Sequence, residues 1–345
     1  MTHNKFLKWM TKETPSVYWH DSADIAEMDE AMGNGAVGVT TNPFLVNSSL
    51  RANPQFWADK IKQVSPELKG DAKVEAIMRQ VTGFIAEKLN PLYKTGNKQY
   101  GRCCAQTNPN RPGDAAAMIE QGKRLAGWAP NICIKLPTTK AGLEACEELA
   151  ALGHNVVMTV SFTVPQALAI GAAFQRGADR ARANGIEPGL GVAVIMVGRL
   201  DDYLRDVAKD NGANVSESDI IQAGTAAIKR AYSVFEERQY EAVLMPAGCR
   251  GAYHITELAG AKMIMSIAPK IAKLLAELDG PFEERINVPV DKAVIDRLMT
   301  MPEFVKAYEP DGMTIEEFIT FGSCNRTLTQ FIESGWNPIE AMKLV

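Results

Sequence analysis

The sequence predicts an α/β fold of the (β/α)8 type, a TIM barrel with additional C-terminal helices. Two observations support this architecture. Short apolar runs alternate with longer segments of helical periodicity along the 345 residues, and eight such runs are found. The runs are almost continuously apolar, as expected for parallel strands buried on both faces. Eight parallel strands that are each followed by a helix close into a barrel.

The predicted elements follow one another in a regular order. The candidate strands are short apolar runs, and they cover residues 16–20, 36–40, 100–106, 132–136, 155–160, 191–197, 241–247 and 261–266. Between them, apolar residues at i, i+3 and i+4 spacing predict helices over residues 24–35, 113–128, 141–153, 164–185 and 216–238. The first of these helices ends on glycines, which is typical of a C-cap.

Two segments exceed a minimal barrel. Residues 43–98 form a long connection between the second and third strands, and it contains a helical stretch at 72–89. Residues 281–345 follow the eighth strand and predict further helices at 314–322 and 326–335. No linker-like composition precedes this second segment. We therefore expect residues 1–280 to form a catalytic barrel domain and residues 281–345 to form a helical extension packed on it.

The composition excludes several classes of function. The chain is 46% hydrophobic and 23% charged, and its formal net charge of -4 argues against binding to nucleic acid or to an anionic membrane surface. We find no signal-peptide pattern and no run of 18 apolar residues, so we expect a cytoplasmic protein without a membrane span. The six cysteines form no CxxC pair and the four histidines are scattered. We therefore expect reduced core cysteines, and neither a metal nor a cofactor.

Lys135 is the residue with the clearest chemical meaning. It lies inside the apolar run NICIKLPTT (131–139), where a buried strand is expected. Burial favours the neutral amine of a lysine, and a neutral amine condenses with a carbonyl to form a Schiff base. The alternative is a strand-end lysine whose stem packs inside while its ammonium reaches water.

Polar residues recur at the carboxyl ends of the predicted strands, where active sites of such barrels lie. In chain order these residues are Asp21, Thr40, Thr41, Asn42, Gln106, Lys135, Thr159, Ser161, Arg199 and Arg250. Each has a structural alternative: Asp21 as a helix cap, Asn42 as a turn residue before Pro43, and the arginines as solvated rim residues. Because so many of them converge on one mouth, we interpret the set as a functional site.

Several of these segments together resemble the transaldolase family of class I Schiff-base aldolases, which includes fructose-6-phosphate aldolase-like members. The matching segments are 21–28, 38–46, 134–167, 197–202 and 247–251. The resemblance implies that Lys135 forms the Schiff base, that Asp21 is the acid/base and that Asn42 hydrogen-bonds a substrate hydroxyl or the adduct. It also implies that Thr159 holds the catalytic water and that Arg199 and Arg250 bind the substrate phosphate. We add Thr41 and Ser161 as substrate-binding candidates.

The sequence also departs from the family pattern. Transaldolases carry a glutamate where this chain has Gln106, whereas the fructose-6-phosphate aldolase branch has a glutamine there. Polar or aromatic family positions are occupied by Val157, Val194, Met196 and Gly248. A buried hydroxyl without its hydrogen-bond partner is disfavoured by roughly 1–3 kcal/mol. Two readings stay open: a donor less hydroxylated than dihydroxyacetone, or compensation by Ser161 or Cys104.

The resemblance therefore implies a transaldolase-like enzyme of carbohydrate metabolism, as in the pentose phosphate pathway. It would cleave or transfer a dihydroxyacetone-like ketol unit of a sugar phosphate through an imine on Lys135. The alternatives are a simple aldolase of the fructose-6-phosphate aldolase type, which Gln106 suggests, and a non-catalytic sugar-phosphate-binding relative. The expected partner is a small sugar phosphate, with no nucleic acid and no membrane, and self-association into a homo-oligomer is left open.

Overall fold

The computed structural model describes residues 4–96 and 100–344, so residues 1–3, 97–99 and 345 of the predicted segments lie outside it. Eight parallel strands form one sheet in the order β7-β6-β5-β4-β3-β2-β1-β8, and β7 and β8 are in contact where the sheet closes. The predicted (β/α)8 barrel is therefore confirmed. The strands are β1 Val17–His20, β2 Ala36–Val39, β3 Arg102–Gln106, β4 Ile132–Pro137, β5 Val156–Thr159, β6 Gly191–Ile195, β7 Val243–Pro246 and β8 Ile264–Ile267.

Helices surround the barrel and continue beyond its last strand. They are α1 Lys5–Glu13, α2 Ile25–Gly33, α3 Pro43–Ala52, α4 Pro54–Ile61, α5 Gly70–Thr95, α6 Ala115–Ala126, α7 Lys140–Ala151, α8 Val164–Ala183, α9 Val197–Asn211, α10 Glu217–Ile220, α11 Ala223–Arg238, α12 Tyr253–Thr256, α13 Pro269–Ala276, α14 Lys292–Leu298, α15 Pro302–Tyr308, α16 Gly322–Phe331 and α17 Asn337–Glu340. A 3₁₀ helix, Ile315–Thr320, precedes α16, and a π-helical turn, Ile332–Trp336, follows it. None of the described helices is long and apolar enough to cross a membrane.

Some predicted element boundaries are wrong for identifiable reasons. The helix predicted over 216–238 is two helices, because α10 ends at Ile220 and the buried carboxylate of Asp201 accepts a hydrogen bond from Gly224 N at 2.8 Å, where α11 begins. The strand predicted over 261–266 starts only at Ile264, since the backbone before it forms turns. The helix predicted over 314–322 is the shorter 3₁₀ helix.

Two other parts of the fold differ from the sequence prediction. Helix α1 was not predicted; Asn4 caps it, and its Oδ1 accepts a hydrogen bond from Leu7 N at 3.0 Å. The strand predicted over 191–197 ends at Ile195, and α9 begins at Val197. Because β6 ends early and α9 follows at once, Arg199 lies on the first turn of a helix, at the carboxyl end of β6.

The strand register decides which side chains share the barrel interior. Gln106 of β3 pairs with Lys135 of β4, which pairs with Val157 of β5. Val157 pairs in turn with Val192 of β6. Side chains of directly paired residues lie on the same face of a sheet. These four buried side chains therefore all face the barrel interior, with Lys135 between an amide and a valine.

Residues 322–336, which comprise α16 and the π-helical turn after it, are called the C-terminal strap below. At its start, the thiol of Cys324 donates to Val160 O, just after β5, at 3.5 Å. At its end, Ser334 O accepts a hydrogen bond from Asn47 Nδ2 of α3, the helix that follows β2, at 3.0 Å. In the ring of strands, β2 lies opposite β6 and far from β5. The strap therefore crosses the face of the barrel where the strands end.

Candidate active site

Lys135 lies inside the barrel near the carboxyl end of β4. Only 6% of its surface is exposed, and its Nζ lies 3.5 Å from the backbone oxygen of Thr41. Within residues 4–96 and 100–344, no carboxylate forms an ion pair with this ammonium group. The amine is thus enclosed by the barrel wall and contacts a backbone oxygen, not a carboxylate. The position suits an amine that reacts as a nucleophile.

Two polar side chains flank Lys135 on its neighbouring strands. Gln106 is 2% exposed, and its Oε1 has no hydrogen-bond partner among the residues that the structure describes. Thr159 ends β5, and its hydroxyl points at the thioether sulfur of Met196, 4.0 Å away. A thioether is a weak acceptor, so this hydroxyl is available to a stronger partner. Both groups could therefore hold a water or a substrate oxygen.

Asp21 is held by a chain of hydroxyl groups. Its Oδ1 accepts a hydrogen bond from Thr40 Oγ1 at 2.6 Å, and Thr40 Oγ1 lies 3.0 Å from Ser266 Oγ of β8. Because the Thr40 proton goes to the carboxylate, Ser266 is the donor to Thr40. The helix-cap alternative for Asp21 is wrong: Asp24 caps α2 and accepts from Ala26 N at 3.0 Å.

Thr41 and Asn42 join the end of β2 to α3. Thr41 is fully buried, and its hydroxyl donates to the backbone oxygen of Cys104 at 2.6 Å. Asn42 caps α3, and its Oδ1 accepts a hydrogen bond from Leu45 N at 2.9 Å. The alternative reading of Asn42 as a residue that organises the backbone before Pro43 is thus correct for its carbonyl group. Its amide nitrogen is left for another acceptor.

Ser161 serves the backbone of the neighbouring strand. It is completely buried, and its hydroxyl donates to Val194 O at 2.5 Å. Burial also raises the pKa of the Cys104 thiol, so this group stays protonated. Apart from Thr159, the interior face beside Lys135 on the β5 and β6 side is apolar, with Val157, Val194 and Met196 all buried.

Arg199, on the first turn of α9, is held by the strap. Its Nη2 donates to Gln330 Oε1 at 2.5 Å, and its guanidinium carbon lies 5.9 Å from the centre of the Phe331 ring. Its Nε is buried and has no partner among the described residues. Burial lowers the pKa of Arg199, and the neighbouring Arg250 guanidinium lowers it further. An anion between the two arginines would offset both the burial of the Arg199 charge and its repulsion by Arg250.

Arg250 follows β7 and is more exposed than Arg199. Its Nε donates to Asp202 Oδ2 at 2.8 Å, and its Nη1 donates to Gly248 O at 2.9 Å. Gly248 has a φ of 62°, and a side chain there would contact Arg199, 3.6 Å from its Cγ. The lack of a side chain at Gly248 leaves space beside the Arg199 guanidinium. Both arginines therefore border one small region, and each already has a protein partner.

Comparisons with known proteins agree with this arrangement. The family described as transaldolase/fructose-6-phosphate aldolase matches residues 18–319. The chain belongs to this family. A protein named transaldolase from Thiobacillus denitrificans is 25% identical over 306 residues, covering 84% of this chain and 82% of the relative. Transaldolase A of Pasteurella multocida is 27% identical over 316 residues, covering 86% and 88%. Transaldolase 1 of Streptomyces avermitilis is 30% identical over 209 residues, covering 58% and 54%.

Several residues of the candidate active site were not predicted from the sequence. Gln330 and Thr327 reach Arg199 from a helix about 130 positions further along the chain, and no local pattern marks them. Ser266 was the last residue of the predicted eighth strand, so a polar residue at a strand end was again the signal that could have identified it. Asp202 was visible in the VGRLDD segment, where an acidic residue close to a predicted phosphate-binding arginine is a signal in itself.

Proposed function

We propose that this protein is a transaldolase-like Schiff-base enzyme that cleaves or transfers a ketol unit of a sugar phosphate through an imine on Lys135. The observation that carries the proposal is the buried Lys135 amine, which has no ion-pair partner among the described residues and lies in register with Gln106. Membership of the transaldolase/fructose-6-phosphate aldolase family supports the same chemistry.

The proposed reaction begins with attack of Lys135 Nζ on the ketose carbonyl carbon. One water leaves and a protonated imine remains, which accepts the electron pair of the next carbon–carbon bond along the chain, the one between the α and β carbons. Asp21 then takes the proton from the hydroxyl on the far carbon of that bond. The bond breaks, an aldehyde leaves, and the electron pair stays on Lys135 as an enamine. The hydroxyl chain through Thr40 keeps the Asp21 carboxylate in one orientation for this step.

The fate of the enamine separates two candidate activities. Addition of the enamine to a second aldehyde is transfer, whereas its protonation and hydrolysis is simple cleavage. We assign Gln106 and Thr159 to the water that enters and leaves with the imine. An amide orients water but cannot carry a proton, so Gln106 favours the second candidate, an aldolase of the fructose-6-phosphate aldolase type.

We assign the phosphate of the substrate to the region between Arg199 and Arg250. The buried, unpartnered Nε of Arg199 supports this assignment, because a buried donor without an acceptor is costly. A phosphate must compete there with Asp202, which now pairs with Arg250. Guanidinium groups bind carboxylates and phosphates alike through two parallel hydrogen bonds, and the larger charge of a phosphate dianion supports its binding in this competition.

The remaining assignments are broader. We propose that residues 1–280 act as the catalytic barrel and that residues 281–345 are an extension of it; the contacts of α14, α15 and the strap with barrel helices support this division. We also propose a cytoplasmic location, supported by free cysteines at all six positions.

Turnover tests the proposal directly. Lys135→Arg should abolish cleavage of fructose 6-phosphate while leaving the far-UV spectrum unchanged, because a guanidinium stays protonated and forms no imine. Lys140→Arg is the matched control, since Lys140 is exposed at the start of α7 and should keep full activity. Activity of Lys135→Arg within about tenfold of wild type, a loss of only ~1.4 kcal/mol, would remove Lys135 from the mechanism.

A further inference from the structure

The C-terminal strap presents one helix face to the end of β6. Ser323, Thr327 and Gln330 stand at i, i+4 and i+7 positions, so they lie on one side of α16. Ser323 Oγ donates to Arg199 O at 3.3 Å, and Thr327 Oγ1 lies 3.5 Å from Arg199 Nη1. Gln330 completes the set with its hydrogen bond to Nη2. Arg199 is thus held by the strap through both its backbone and its guanidinium.

The far end of the strap is fixed just as closely. Gly335 lies so near α3 that a Cβ there would stand 2.6 Å from Phe44 N. The π-helical turn before Trp336 redirects the chain at this point, and such turns are frequent at functional sites. Because Pro43 and Phe44 follow Asn42 directly, the strap connects the Arg199 side of the mouth with the Asn42 side.

The chemistry of the partner at Arg199 differs from that at Arg250. Gln330 is a neutral acceptor, so it orients the Arg199 guanidinium without cancelling its charge. Asp202 is a carboxylate and does cancel the charge of Arg250. A free arginine side chain loses rotamer entropy when it binds an anion, so a neutral acceptor that already fixes it makes anion binding less costly.

We propose that the C-terminal strap is part of the substrate site and that Gln330 is a positioning residue, which holds the Arg199 guanidinium for a phosphate monoester. This inference rests on the proposed function for the identity of the substrate, but the anion site itself does not depend on turnover. It predicts that phosphate binding needs the amide at position 330, and that a carboxylate at this position weakens phosphate binding.

The decisive comparison is Gln330→Ala with Gln330→Glu. Gln330→Ala should raise KM for fructose 6-phosphate about tenfold, the change expected when a hydrogen bond to a charged group is lost, with little change in kcat. Gln330→Glu keeps the shape and pairs with Arg199 as an ion, so it should weaken phosphate binding more than Gln330→Ala does. Neither variant should change KM for fructose, which has no phosphate.

Two further variants test whether Gln330 contributes only to packing. Asn325→Ala, on the exposed side of α16, should behave as wild type. Gln330→Met keeps the side-chain volume without the acceptor and should resemble Gln330→Ala if folding is intact. Equal losses for fructose 6-phosphate and fructose in the Gln330 variants would assign Gln330 to packing and overturn the proposal.

A binding measurement separates this inference from the proposed function. Calorimetric titration with inorganic phosphate should show binding to wild type, weaker binding to Gln330→Ala and the weakest binding to Gln330→Glu. No binding to wild type, or binding to Gln330→Glu as tight as to wild type, would overturn the role of Gln330. If ketoses form no adduct at Lys135 but the phosphate series holds, the proposed function fails while the strap assignment stands.

Discussion

At the scale of single residues, the site divides into a polar half and an apolar half around Lys135. Asp21, Asn42 and Gln106 come from β1, β2 and β3, whereas Val157 and Val194 come from β5 and β6. The hydroxyl of Ser161 is already donated to the backbone, so it does not repair the apolar half. Compensation by Ser161 therefore finds no support, whereas compensation by Cys104 and a donor with fewer hydroxyl groups both stay predictions.

Gln106→Glu tests the role of the water site. The change is nearly isosteric, and it places a titratable carboxylate where the unpartnered Oε1 lies. A carboxylate can carry protons during imine formation and hydrolysis, so we expect the ratio of transfer to free donor release to rise and a new pH dependence to appear. The ratio is measured with a ketose in the presence and absence of an acceptor aldehyde. An unchanged ratio and an unchanged pH profile would exclude Gln106 from the water site.

The buried His20 side chain makes the free energy of unfolding depend on pH. Burial lowers its pKa to about 4, although Asp21 and Asp24 act in the opposite direction. The unfolded chain has the ordinary histidine pKa, so it binds the proton first as the pH falls, and stability decreases between about pH 6.5 and pH 4. His20→Gln should remove roughly 2 kcal/mol of the loss between about pH 7 and pH 5, measured by urea unfolding. An equally steep loss in the variant would contradict this account.

At the scale of elements, the strands were easier to predict than their ends. All eight were found because buried parallel strands are continuous apolar runs, as in Ile132–Pro137. The split between α10 and α11 was not predictable, because the group that starts α11 is the distant carboxylate of Asp201. The polar strand ends indicated the site, and a helix was predicted over 326–335, but its position over the site was not, since Gln330 meets Arg199 only through the tertiary fold.

Gly335→Ala tests whether the strap is fixed on α3. The new methyl group would overlap backbone atoms of Pro43 and Phe44, which cannot move aside as a side chain can. We expect a loss of about 1–3 kcal/mol of stability and faster proteolysis within residues 322–336. Gly113→Ala is the control, because a Cβ there meets nothing within 4 Å. Equal protease resistance of the two variants would show that the strap docks independently of Gly335.

At the scale of the whole molecule, the barrel brings residues from seven strand ends to one face, and the strap closes over that face from the β6 side to the β2 side. Lys135 lies in the barrel interior, and Asp21 follows the first strand. Arg199 and Arg250 follow the sixth and seventh strands. Family membership and the buried amine both support the proposed covalent intermediate on Lys135. That intermediate is the central claim about function.

The most direct test is reductive trapping. The protein is incubated with a mixture of ketoses and their phosphates, reduced with borohydride and digested, and the peptide that contains Lys135 is analysed by mass spectrometry. We predict one stable adduct, located on Lys135, whose mass identifies the donor fragment, and no adduct in Lys135→Arg. A fully folded wild-type protein that gives no adduct with any ketose, or an adduct on another lysine, would contradict the account.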